Sequence, residues 1–295
     1  MTIIGTANSI TFNNLLCLTD FSAASEAVVP FARALAGQYG SKVFALNVVL
    51  PDPYVCMAPE CTDSVNDGLE QAAKTKMERI ESLLTNLPHQ TTVERGADVW
   101  PTVKQEIEQH DIDLILLGTH GRSGIRKLVL GSVAEQVFRS ANVPVLTIGP
   151  NDRNHHFGGQ FKCVLLATDF RSETSTSLAY AISLARENHA RLVLLHIVQR
   201  ARTNTPDAGL SNIEAKRQLE KMLPADSDCP QPVELIVENG DPAIDIVEIA
   251  KRCRSDLIVL GIHKIEHVRI ATHFERTTAH EVVCYAPCPV LTVSS

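Results

Sequence analysis

The chain has no apolar run of the ~18 residues that a membrane-crossing helix needs, so a helical membrane protein is not expected. Its opening, M-T-I-I-G-T-A-N-S-I, lacks the basic start and long apolar core of a secretory signal, which favours a cytoplasmic location. Positive charge is not in excess: 27 Lys and Arg face 34 Asp and Glu, and a net charge of -7 argues against nucleic acid as the main partner. Aromatic residues make up only 5% of a chain that is 44% hydrophobic, so the core must be built from aliphatic side chains. None of the 8 cysteines forms a C-x-x-C pair, which excludes a zinc ribbon and a redox dithiol. Cys17 and Cys163 fall inside apolar stretches and read as small buried hydrophobes. Neither G-x-x-x-x-G-K-[ST] nor a G-x-G-x-x-G after a strand occurs, so the two commonest nucleotide fingerprints are missing.

What is present is a sequence written twice. L-C-L-T-D-F-S (Leu16 to Ser22) returns as L-L-A-T-D-F-R-S (Leu165 to Ser172), and V-E-R-G (Val93 to Gly96) as V-E-N-G (Val237 to Gly240). D-L-I-L-L-G-T-H (Asp113 to His120) returns as D-L-I-V-L-G-I-H (Asp256 to His263), with six of eight positions identical. V-P-V-L-T-I (Val143 to Ile148) returns as C-P-V-L-T-V (Cys288 to Val293). Four matches in one order define a duplicated domain, with a period too long for a solenoid. The expected division is 1–150, a polar, glycine-containing linker at 151–160, and 161–295.

Within each half, apolar runs alternate with helical periodicity, the pattern of a parallel sheet covered on both faces. The first half predicts strands near 14–19, 43–49, 91–95, 112–117 and 144–149, with helices near 22–39, 66–86, 98–110 and 131–140. The second predicts strands near 162–168, 191–198, 233–237, 256–260 and 289–294. Five strands and four crossovers make an α/β doubly wound sheet, whose ligand site lies at the carboxyl ends of the strands where their order switches.

One segment falls where such a site is expected. Residues 118 to 132, G-T-H-G-R-S-G-I-R-K-L-V-L-G-S, follow the apolar strand D-L-I-L-L and precede the helical V-A-E-Q-V-F-R-S. Glycines between a strand end and a helix start allow backbone N–H groups to reach a phosphate. Gly118 and Gly121 would bring the loop close to a ligand; Gly131 and Ser132 would present N–H groups and a hydroxyl at the positive end of the helix. The blander alternatives are a tight turn for the first two and a plain N-cap for Ser132. Arg122, Arg126 and Lys127 either screen phosphate charge or form a solvated loop face. His120 reads as a structural hydrogen-bonding group, with no acid beside it to make it catalytic.

Gly118-x2-Gly121-x9-Gly131-Ser132, together with T-D-F-S and V-P-V-L, resembles the ATP-binding branch of the universal stress protein family, and the duplication resembles its tandem members. The resemblance implies two adenine nucleotide alpha hydrolase-like sheets of strand order 3-2-1-4-5, packed as a pseudo-dimer through their last strands. It implies ATP, with or without Mg, as the cofactor. The adenine nucleotide would be held by Thr19, Asp20, Val48, Gly118, Gly121, Arg122, Gly131, Ser132 and Val133. Among these, Asp20 would meet the ribose or adenine region and Val48 the adenine; Val133 would add a backbone N–H. A homodimer, an unidentified protein partner and a stress-response role follow from the same resemblance.

The second half departs from the motif. Gly261 persists, Lys264 replaces the second glycine, and a count along G-I-H-K-I-E-H-V-R-I-A-T-H-F-E sets Phe274 and Glu275 opposite Gly131 and Ser132. A phenylalanine there would obstruct the backbone and a carboxylate would repel phosphate, so one nucleotide site per chain is expected. His263, His267, His273 and His280 cluster nearby, but no carboxylate or cysteine completes a recognisable ligand set and no metal is assigned. Neither half shows a positioned general base. A nucleotide-binding regulatory protein is therefore preferred over a slow ATPase or self-phosphorylating enzyme. It is also preferred over a chaperone-like tandem module without a ligand, because one copy keeps its glycines and the other has lost them.

Overall fold

The computed structural model describes residues 10–51, 62–119, 130–150, 159–171, 174–199, 208–224, 232–262 and 277–294. They divide into two compact units. One is formed from Phe12–Pro150 with Gly159, the other from Gln160–Ser295 with Ile10 and Thr11. The Ile10 N–H donates to Ser183 Oγ at 2.9 Å, which ties the start of the described chain to the second unit.

The first unit runs β1 (Asn14–Leu18), α1 (Ala23–Glu26), α2 (Val29–Tyr39), β2 (Lys42–Val49), α3 (Thr62–Leu84), β3 (His89–Arg95), α4 (Val99–Gln109), β4 (Leu114–Gly118), α5 (Ser132–Ser140) and β5 (Val145–Ile148). Every pairing is parallel, in the order β3-β2-β1-β4-β5. The second unit runs β6 (Cys163–Ala167), α6 (Thr174–Glu187), β7 (Arg191–Gln199), α7 (Ala208–Met222), β8 (Glu234–Gly240), α8 (Pro242–Cys253), β9 (Leu257–Ile262), α9 (Thr278–Tyr285) and β10 (Val290–Ser294). Its parallel order, β8-β7-β6-β9-β10, repeats the first strand for strand. The doubly wound sheet read from the sequence is the fold, in the 3-2-1-4-5 order that the family resemblance implies.

The inner strands carry near-continuous apolar runs because helices cover both faces and leave no side to water. Leu15, Leu16, Ile115 and Leu116 are fully buried in the first unit, as Val164, Leu165, Leu166 and Val259 are in the second. Each such side chain contributes about 1.5–3 kcal/mol relative to exposure. The helices bury one stripe each; in α5 it is Ala134, Val137 and Phe138, at the spacing of a single helix face.

One expected element is broken. The helix read at 22–39 is two helices, α1 and α2, because Pro30 sits at the second position of α2 and has no N–H to give to Glu26. Ala27 closes the short α1, and Val28 donates instead to Ser25 O at 3.2 Å. This break leaves α1 as a separate turn over the end of β4, which matters for the site.

Candidate functional site

The carboxyl ends of β1 and β4 flank the point where strand order reverses, and three segments meet around it. The first is the turn Thr19–Ser22. Thr19 N–H donates to Leu46 O at 3.0 Å, extending the β1–β2 ladder by one residue. The Thr19 hydroxyl then accepts from Phe21 N–H at 3.0 Å and shares a 3.1 Å bond with the Ser25 hydroxyl. Asp20 Oδ1 accepts from Ser22 N–H at 3.0 Å, and Ser22 Oγ caps α1 by accepting from Ser25 N–H. The turn carries Phe21 at φ 61°, a left-handed conformation unfavourable for a bulky residue. Asp20 is half-buried, so its carboxylate stays within reach of solvent or a ligand.

The second unit reproduces the threonine and aspartate bonds of the turn but not the serine cap, because Arg171 stands where Ser22 does. Thr168 N–H donates to Leu195 O, Thr168 Oγ1 pairs with Thr174 Oγ1 at 2.8 Å, and Phe170 sits at φ 63°. In both copies the carbonyl of the threonine is held from β2 or β7. Asn47 Nδ2 donates to Thr19 O at 2.8 Å, and His196 Nδ1 lies 2.8 Å from Thr168 O with its ring stacked on Phe170. One difference falls on the carboxylate: Asp169 pairs with Arg171 Nε at 3.1 Å, whereas Ser22 stands at that position in the first unit.

The second segment is the end of β2 with the β3–α4 turn. Val48 is half-buried and packs against Gly96: a Cβ on that glycine would lie 3.1 Å from Val48 Cγ1 and 3.0 Å from Asp98 O. Gly96 N–H donates to Val49 O at 3.2 Å, so the turn is fastened to the strand that carries Val48.

The third segment is the end of β4 and the start of α5. Gly118 has a structural reason for its identity, because a Cβ would stand 2.6 Å from the Ala24 carbonyl oxygen. Only glycine lets α1 lie on the strand end. Thr119 is buried and donates its N–H to Ile148 O, while its carbonyl accepts the Gly131 N–H at 2.8 Å. Gly131 is the N-cap of α5, and no side chain caps this helix. The expectation for Gly131 is thereby corrected in one respect: its N–H belongs to Thr119, and the amides left to a ligand at the helix start are those of Ser132, Val133 and Ala134. Ser132 is exposed and Val133 half-buried. Gly121, Arg122, Arg126, Lys127 and His120 lie outside the described residues, so the structure brings together Thr19, Asp20, Val48, Gly118, Gly131, Ser132 and Val133 from the expected set.

The corresponding helix in the second unit starts differently. Thr277 is the N-cap of α9 and accepts from His280 N–H through its own hydroxyl at 3.3 Å. The two helices end alike, with Ala141 N–H on Val137 O and Ala286 N–H on Val282 O. Counting back from those equivalent ends sets Thr277 opposite Ser132 and Arg276 opposite Gly131. The pairing of Phe274 and Glu275 with Gly131 and Ser132 is therefore wrong. The second β–α connection is two residues longer than the first, which a count from Gly261 alone misses. Phe274, Glu275, Lys264, His263, His267 and His273 lie outside the described residues.

A phosphate fits the start of α5 on the structure's own terms, because an uncapped helix of nine residues offers N–H groups and a positive dipole end. Among the described residues no three His, Cys, Asp or Glu side chains gather in a way that could hold a metal ion. No helix among them is long and apolar enough to cross a membrane. Cys17, at the centre of β1, is no nucleophile: burial pushes its thiol up to about 12.

The comparisons agree with the duplicated fold. The universal stress protein family matches residues 11–149 and again 160–294, so the chain belongs to that family, with two of its domains in tandem. A universal stress protein of Methanocaldococcus jannaschii is 26% identical over 140 residues, covering 46% of this chain and 82% of that protein. Universal stress protein A homolog 1 of Coxiella burnetii is 30% identical over 143 residues, 46% of this chain and 96% of its own. A solved universal stress protein from Archaeoglobus fulgidus aligns over 97% of this chain and 99% of its own, at 18% identity and a TM-score of 0.64.

Several residues that build the site carry no motif of their own. Ser25 and Thr174 follow their threonines at the same six-residue spacing in both copies, and that recurrence was the available signal. Asn47 and His196 differ in type, so no repeat marked them.

Proposed function

We propose that this protein is a nucleotide-binding regulatory member of the universal stress protein family that holds one ATP, with or without Mg, in its first unit. The observation that carries this reading is the contrast between α5 and α9. The first presents its leading amides behind Gly131 with no side-chain cap, and the second caps itself through Thr277. Phosphate oxygens would take the N–H groups of Ser132 and Val133 and the Ser132 hydroxyl, with the helix dipole favouring the negative charge. Asp20 would meet the ribose or adenine, and Val48 would line the base. Thr19 holds the turn that presents Asp20. The glycine pattern's resemblance to the ATP-binding branch supports ATP over a bare phosphate.

A regulatory role is favoured over turnover because the carboxylates near the start of α5 are engaged, Glu135 with Arg139 and Asp98 with Val99 N–H and Gln136. Bound ATP would stabilise the first unit by its own binding free energy, and a protein partner would read that state.

Isothermal titration with ATP tests the reading. The expected result is one site per chain, binding lost in Ser132→Glu, and binding kept in Thr277→Ala. Two equivalent sites, or unchanged binding in Ser132→Glu, would count against it. Phosphate release that stays at background in the wild type and in Ser132→Glu separates a binding protein from a slow ATPase.

A further inference from the structure

The two walls of the candidate site are joined by one hydrogen bond that the second unit lacks. Asp98 is the N-cap of α4, with Oδ1 accepting from Val99 N–H at 2.7 Å. Its other oxygen, Oδ2, accepts from Gln136 Nε2 of α5 at 2.9 Å. Gln136 lies four residues, about one turn, beyond Ser132. On its other side the β3–α4 turn is packed on Val48 through Gly96 and bonded to Val49 O. A continuous path therefore runs from the wall that carries Val48, through Asp98, to the helix that carries Ser132 and Val133.

Each cap spends one carboxylate oxygen on the start of its own helix, and the facing helix decides what the other oxygen meets. An N-cap carboxylate ordinarily takes the N–H groups two and three residues on. In α4 the third residue on is Pro101, which has no N–H. In the second unit the proline stands one step after the cap, at Pro242, and Asp241 Oδ1 takes both Ala243 N–H at 3.0 Å and Ile244 N–H at 3.2 Å. The residue equivalent to Gln136 there is Glu281, immediately before Val282, and its side chain has no N–H to give Asp241.

We propose that Asp98 and Gln136 are a positioning pair for the nucleotide site, setting the first turn of α5 at a fixed separation from Val48 so that base and phosphates are met together. The inference rests on the nucleotide reading above. Neither side chain touches the ligand; they act by holding the helix that does, and misplacement of a binding group weakens affinity even where the fold is intact.

The test is a double-mutant cycle read by ATP titration and, in parallel, by thermal melting of the full chain. Gln136→Glu, which installs the residue type of the second unit, sets two carboxylates face to face and should weaken ATP binding by about three- to tenfold. Gln136→Leu, which removes the donor without adding charge, should weaken it by about two- to threefold. Asp98→Asn keeps a capping side chain and supplies a donor. The pair Asp98→Asn with Gln136→Glu should therefore restore affinity to within about twofold of the wild type. Melting temperatures should stay close together across the set, since the bond is exposed.

Wild-type affinity in both Gln136 variants overturns the positioning role and leaves the nucleotide reading standing. A loss in Gln136→Glu that the double variant does not rescue assigns the effect to charge on α5 and also overturns it. A wild-type chain that binds no ATP overturns the nucleotide reading, and this inference with it.

Discussion

At the scale of single residues, the glycines of the opening motif divide into different jobs. Gly118 is required by the Ala24 carbonyl, which a Cβ would meet at 2.6 Å. Gly118→Ala should destabilise the protein by about 1–3 kcal/mol, because backbone rather than a movable side chain stands in the way. Chemical denaturation checks this; an unchanged midpoint would mean that α1 can lift from β4. Gly131 is different. Its backbone is extended, at φ -63° and ψ 150°, and its N–H is spent on Thr119. What it contributes is the absence of a capping side chain, which leaves the α5 dipole to a ligand. Thr277 shows the alternative within the same chain, a helix start satisfied by its own hydroxyl. The sequence exposed both glycines, but it could not show which was holding a helix and which was making room.

At the scale of elements, α4 links the two ends of its unit. Asp98 caps its start, and Glu106 in its last turn and the C-cap His110 lie at the end that meets β2. His110 stacks on Phe44 with centroids 4.4 Å apart and sets Nε2 3.5 Å from Glu106 Oε2, while Lys42 lies over the Phe44 ring at 4.4 Å. Burial pushes the Glu106 carboxyl above its ordinary range, opposed by His110 and helped by Glu94. The folded state therefore binds this proton more tightly than the unfolded chain does. Below the ordinary carboxylate range both states are protonated and the group is neutral in its effect. As pH rises through the ordinary value towards the raised one, the unfolded chain ionises first and stability falls. Glu106→Gln should match the wild type near the acid end and become the more stable of the two as pH approaches neutrality. Melting temperatures followed across that range check the sign. A variant that loses stability at neutral pH would show the His110 attraction to outweigh burial.

At the scale of the molecule, duplication has kept the scaffold and altered one helix start. Both units carry the same strand order, the same threonine-centred turn and the same left-handed phenylalanine. ATP should accordingly slow amide hydrogen exchange in one unit alone, at residues 19–25, at the end of β2 and in the first turn of α5. The equivalent positions at 168–174 and in α9 should exchange at unchanged rates. Equal protection in both units would mean that the capped helix also takes a nucleotide.

How much of this was legible without coordinates follows from the range of the forces involved. The repeat, the doubly wound parallel sheets and the carboxyl-end location of the site were determined by the sequence alone, because strand burial is a local pattern; the order 3-2-1-4-5 came from the family resemblance, since a local pattern does not say which strands pair. Strand ends moved by one to three residues, and the first long helix split at Pro30, a local rule that the hydrophobic periodicity concealed. The site was half legible. Thr19, Asp20, Val48, Gly118 and Ser132 were named from motif and resemblance, yet the partners that orient them are distant in the chain. Asn47 reaches Thr19 across 28 residues, Gln136 reaches Asp98 across 38, and Ala24 presses on Gly118 from another element. The equivalence of Ser132 with Thr277 also needed the helix ends, since the connecting loops differ in length. Which backbone groups are already bonded, and so which remain for a ligand, is decided only when distant segments are packed together, and tertiary structure alone supplies that.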